Sequence, residues 1–209
     1  MVSFTLLSVV LLVGAMYAYP GGTQWDRGAV GNDFWRNYLC DLARSQALDG
    51  RPNPIGSRLA QAGLLSMCLA LLAFFWLVAG RVSSRPRCAL GIRALGSVAS
   101  LSALAVAALP ADRYSALHGA AILGSGVTGI LAAILAVLAL ALERPAPRQV
   151  VLTGAATLVI AILAFVPFVR QYFVDGPGLV VAAVLERLAW LSLLAWMAST
   201  AWHAMARRA

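Results

Sequence analysis

Six apolar runs, each at least 17 residues long, follow one another along the chain: Ser3–Tyr19, Leu59–Ala79, Leu90–Leu109, Leu117–Leu142, Val150–Val169 and Leu179–Met205. About 20 apolar residues cross the hydrocarbon core of a bilayer as a helix. Backbone polar groups in lipid must be satisfied within the segment, which favours helices for such runs. The expected fold class is therefore all-α, a polytopic membrane protein built as a six-transmembrane-helix bundle. It reads as a single membrane domain over residues 1–209, with one long outer loop at residues 20–57.

Composition agrees. Of 209 residues, 61% are hydrophobic and 11% charged, against about 25% charged in soluble domains. A water-soluble globule of this size would lack the polar groups to cover itself. The net charge is +8 and every basic residue is arginine. The arginines sit between apolar runs rather than on one polar face, so they read as topology signals and lipid-headgroup contacts. Nucleic acid is not an expected partner; membrane lipids are.

Arginine bias sets the expected orientation. Arg81, Arg85, Arg87 and Arg93, then Arg144 and Arg148, then Arg207 and Arg208, mark one side; the opposite short loops hold only Arg113 and Arg170. The positive-inside rule then places the N- and C-termini in the cytoplasm of a multi-pass cell-membrane protein. Run one has a rival reading as a signal peptide. No positive charge precedes it, and Tyr17-Ala18-Tyr19-Pro20 is a poor cleavage site.

Within the outer loop, Phe34, Tyr38 and Leu42 recur every four residues. This spacing predicts an interfacial helix over Asn32–Ala47, with Asn32 or Asp33 as N-cap. In run four, Ala121, Ser125 and Gly129, and likewise Ala120, Gly124 and Thr128, recur at the same interval. Small residues so spaced let helices approach closely in lipid, within the chain or in a homo-oligomer. Pro167 is expected to kink or end run five.

Polar residues at membrane depth are the candidate functional groups. Glu186 and Arg187 lie inside run six, His118 opens run four and Asp112 sits in the short loop before it. Asp41 and Asn53 of the long loop share their side. The expected site is an outer polar cluster of Asp41, Asn53, Asp112, His118, Glu186 and Arg187. Glu186 and Arg187 point about 100° apart on a helix, so they need different partners. Arg113 or Arg170 would serve Glu186, and Asp112 or Asp41 would serve Arg187. His118 is expected to hydrogen-bond Asp112 or water.

No metal site or cofactor is expected. His118 and His203 fall at opposite ends of the bundle, and no C-x-x-C pair exists among Cys40, Cys68 and Cys88. An oxygen-rich site of Asp41, Asp112, His118 and Glu186 is the alternative. Nucleotide-binding, zincin and serine-elbow motifs are absent from the sequence, so no catalytic residues are assigned.

Several segments carry a resemblance. Phe34-Trp35-Arg36-Asn37-Tyr38-Leu39-Cys40-Asp41-Leu42 is followed by Asn53-Pro54. Leu109-Pro110-Ala111-Asp112 precedes His118, and run six holds Leu185-Glu186-Arg187-Leu188. In order and placement these segments are similar to a bacterial six-helix membrane family, number 998 among the domains of unknown function. That family is distantly similar to the eukaryotic FRAG/DRAM/Sfk group. Cys40 stands where the family pattern often has Ser. The resemblance implies the fold and a conspicuous outer polar site, and by analogy a role with lipids. Three functions are open: binding or sensing of lipid headgroups at the outer cluster; an intramembrane lipid hydrolase or transferase using Asp112, His118 and Glu186; and a small transporter or channel.

Overall fold

The computed structural model describes residues 1–82, 84–143, 147–173 (backbone only for 171–173) and 179–206. Seven helices account for most of them: α1 (Val2–Ala18), α2 (Leu39–Leu42), α3 (Pro54–Arg81), α4 (Pro86–Ala108), α5 (Ser115–Ala141), α6 (Arg148–Phe173) and α7 (Val180–Ala206). No strand occurs among the described residues. Five helices, α3 to α7, are long and apolar enough to cross a membrane, and α1 is a shorter apolar helix of 17 residues. The chain is a polytopic helical membrane protein. Pro54 and Pro86 open α3 and α4 within the first turn, where a missing N–H costs no intrahelical bond. α6 continues past Pro167 to Phe173, so that proline does not end it.

Helices neighbouring in sequence are neighbours in space. α1 lies on α3, α3 on α4, α4 on α5, α5 on α6 and α6 on α7, and α7 returns to α1. The result is a ring of six helices. The starts of α1, α4 and α6 share one end with the finishes of α3, α5 and α7. Thr5 near the start of α1 reaches Met197 near the finish of α7. Of the arginines that set the expected orientation, Arg144, Arg207 and Arg208 lie outside the described residues.

The long loop closes the other end of the ring as a folded cap. Leu39, Leu42, Ala43 and Ala47 are buried against Leu12 and Ala15 of α1, Ala60 of α3 and Trp190 of α7. The Tyr19 hydroxyl accepts from the Leu48 amide at 3.0 Å, tying the loop's beginning to its later part. The continuous helix expected over Asn32–Ala47 does not form; only Leu39–Leu42 is helical, as α2. Side chains take the backbone donors instead. Asp33 accepts from the Trp35 and Arg36 amides, at 3.0 and 3.2 Å, and Asp41 from the Tyr38 amide at 2.9 Å. Such local bonds compete with helix propagation.

Without a hydrophobic force between helices in lipid, close packing holds the ring. Large side chains seat on glycines. Phe75 of α3 lies on Gly96 of α4, Phe165 of α6 on Gly126 of α5, and Trp196 of α7 on Gly154 of α6. The small-residue face of α5 is occupied within the chain as well, with Gly124 against Ser102 and Gly129 against Ala99 of α4.

A Cβ on Gly154 would meet three Trp196 ring atoms at 2.7–2.9 Å. Gly154→Ala is therefore expected to lower stability by about 1–3 kcal/mol. Gly80→Ala, with nothing within 4 Å of the added carbon, should be neutral or mildly stabilising. Thermal unfolding of both variants in detergent checks this; equal midpoints would mean the tryptophan moves aside.

Candidate functional site

A cavity of about 710 Å³ lies within the ring, and Tyr38, Leu39, Cys40, Asp41 and Arg44 of the cap line one end of it. Its deep walls are apolar, formed by Leu71, Phe75, Ala133, Leu158 and Leu193, with Trp196 set edge-on against Phe74. Ionisable groups gather at the cap end, where Cys40, Asp41, Arg44, His118 and Glu186 contribute to the lining. Charged groups and an imidazole gathered at one end of a chamber whose other lining is mostly apolar match the shape of an amphiphile.

Three of the six residues expected at the outer cluster, Asp41, His118 and Glu186, share this lining. Asp41 is buried, 2% exposed, on α2. Burial raises its carboxyl above the usual range, opposed by the Tyr38 amide, Arg44, the Asn37 side chain and Arg187. Glu186, two turns into α7, accepts from the Leu39 amide at 3.0 Å. His118 sits in the first turn of α5, with Nδ1 2.6 Å from the Leu109 carbonyl oxygen. A carbonyl only accepts, so Nδ1 carries the proton there and Nε2 is the basic nitrogen. The expected bond to Asp112 is not made.

The other three hold the cap. Asp112 accepts from the Ser45 amide at 3.0 Å, the Gln46 amide at 3.2 Å and the Ser45 hydroxyl. Burial would raise its carboxyl, but the Ser45 hydroxyl and the Gln46 and Ser45 amides outweigh that and hold it below the usual range. Asn53 donates to the Leu42 and Arg44 carbonyls, both at 3.0 Å. Arg187, fully buried, donates to the Asn37 carbonyl at 3.0 Å, and its guanidinium lies 4.9 Å from the Phe34 ring centroid.

The expected ion pairs are replaced by backbone contacts. Neither Glu186 nor Arg187 has an ion-pair partner among the described residues; the ion pairs found, Arg36–Asp33 and Arg51–Asp49, lie elsewhere in the cap. The two adjacent side chains do point apart. They grip two ends of the same short segment, the Asn37 carbonyl and the Leu39 amide.

Arg44 is the residue that sequence reasoning passed over. The loop's Arg27, Arg36, Arg44 and Arg51 are matched in number by Asp26, Asp33, Asp41 and Asp49, so in sequence Arg44 reads as a balanced surface charge; in the fold it lines the cap end of the cavity without an ion pair among the described residues. Cys40 lines that end too. Burial first, and the neighbouring Asp41 next, push its thiol well above the ordinary value, so it stays neutral at pH 7. Among the described residues, no group of three or more His, Cys, Asp or Glu side chains is placed to hold a metal.

The Asp112 clamp gives a pH prediction. A carboxyl held below its ordinary value of 3.8 keeps the clamp intact at and above that pH, and the clamp weakens as pH falls through the lower folded value. Asp112→Ala should speed amide hydrogen exchange at Ser45 and Gln46 by about tenfold at pH 7. The wild type should show the same loss of protection only below about pH 4. Unchanged protection in the variant would remove Asp112 from the cap's attachment.

No curated protein and no solved structure matches the chain. A family profile described as "Protein of unknown function (DUF998)" matches residues 25–203, from the cap through all but the end of the last helix. The residues that hold the cap and line the cavity mouth fall within that span, and this integral membrane protein belongs to the DUF998 family.

Proposed function

We propose that the protein binds an amphiphilic lipid in the central cavity, with its chain among the deep apolar walls and its headgroup among Asp41, Arg44, His118 and Glu186. The gathering of Asp41, Arg44, His118 and Glu186 at one end of a chamber whose other lining is mostly apolar carries this reading. The volume of about 710 Å³ lies within the range of about 300–1,000 Å³ common for small-molecule sites. In the same reading α1 is the sixth span, both chain ends face the cytoplasm of the cell membrane, and the cavity mouth lies at outer-leaflet headgroup depth.

A second reading, a lipid hydrolase or transferase, draws on one observation. The Leu109 carbonyl fixes the His118 ring so that Nε2 is basic, on the same cavity as Glu186. Asp112 has no part in it, since the cap claims that carboxylate. Turnover of glycerolipids or ceramides that His118→Ala abolishes would favour this reading over simple binding.

The direct test is lipid retained through purification and quantified by mass spectrometry. Wild type should keep bound phospholipid. Glu186→Gln, which can still accept from the Leu39 amide, should keep less, and Ala161→Phe, which fills the cavity from α6, should keep least. Undiminished lipid in both variants, each folded by thermal unfolding, would overturn the proposal.

A further inference from the structure

A second polar group lies at membrane depth on the outside of the ring, near the end remote from the cap. The Arg93 guanidinium carbon sits 5.3 Å from the Trp76 ring centroid. Trp76 Nε1 donates to Ser97 Oγ at 3.3 Å. Arg93 is seven residues into α4, about 10 Å along the helix. Arg93 and Ser97 are one turn apart, on a stripe continued by Leu90 and Leu101, which are 68% and 64% exposed. Trp76 is itself half-exposed. In a membrane protein that stripe faces lipid.

An arginine on a lipid-facing surface needs a counter-charge or a route to the headgroups. Among the described residues no carboxylate pairs with Arg93. The described acid at this end of the ring is Glu143, which accepts from the Ser84 hydroxyl. Arg81, Arg85, Arg87 and Arg148 make the same end strongly positive. The indole N–H only donates, so Ser97 Oγ accepts from it and keeps its own proton to donate outward. A stacked guanidinium and a hydroxyl donor on one patch suit a phosphate oxygen, while Leu90 and Leu101 suit an acyl chain.

We propose that Trp76, Arg93 and Ser97 form a binding site for the phosphate of an anionic phospholipid, on the outer surface of α3 and α4 and separate from the central cavity. The contact with Trp76 holds the guanidinium against the ring face, and the surrounding arginines favour lipids with net negative charge.

The test reconstitutes the full chain in nanodiscs of mixed phosphatidylglycerol and phosphatidylcholine, and native mass spectrometry counts the lipids that stay bound. Wild type should retain phosphatidylglycerol preferentially. Arg93→Gln and Trp76→Leu should each cut that preference about two- to fivefold. Arg87→Gln, outside the patch, should change it less. Thermal unfolding in detergent shows that each variant is folded. Preference surviving both patch substitutions would overturn the site, as would an equal loss in Arg87→Gln, which would assign the effect to diffuse charge. Retention of cavity lipid, read by the Ala161→Phe comparison, is independent of all these outcomes.

Discussion

A fully buried guanidinium and a partly buried carboxylate on consecutive residues of one helix hold the cap of this protein in place. Arg187 and Glu186 bind the backbone on either side of Tyr38, one to a carbonyl and the other to an amide. In a low-dielectric setting such charge-assisted bonds are stronger than neutral ones. They also leave little freedom, because a charge buried without its partner is costly. The cap's position over the ring follows from this grip, with Asp112 and Asn53 fixing its later part. The cavity mouth in turn is built from what the grip places there: Cys40 and Asp41 directly after Leu39, and Arg44 one turn on.

The apolar runs made the membrane fold legible, because a bilayer imposes length and composition on whatever crosses it. Helices α3, α4, α5 and α6 begin before the expected runs, since hydropathy registers only the apolar stretch, whereas α1 and α7 match theirs to within a residue. The cap was not legible in the same way. A four-residue recurrence of Phe34, Tyr38 and Leu42 has the form of an amphipathic helix. Asp33, Asn37 and Asp41 instead bind nearby backbone, and periodicity of apolar residues carries no information about that competition.

The candidate site was half legible. Glu186 and His118 stand out because ionisable groups are rare in apolar runs, and Asp41 because it shares their side. Topology cannot distinguish a side chain that faces the cavity from one that holds a loop, so in sequence Asp112, Asn53 and Arg187 look no different from them. Arg44 was hidden by charge balance: in a loop of matched arginines and aspartates, nothing in the order of residues shows which guanidinium turns inward.

The ring's connectivity has a bearing on how the molecule comes into being. Each helix rests mainly on its sequence neighbours, so α3 with α4, α4 with α5 and α6 with α7 can associate as the chain is synthesised. The chamber, by contrast, has no wall on one side until the last helix docks beside the first and its Glu186 and Arg187 take hold of the cap backbone. Any resident molecule is therefore admitted to a finished vessel or enclosed during its final closure, and a chain lacking its last segment makes hairpins without ever making a container.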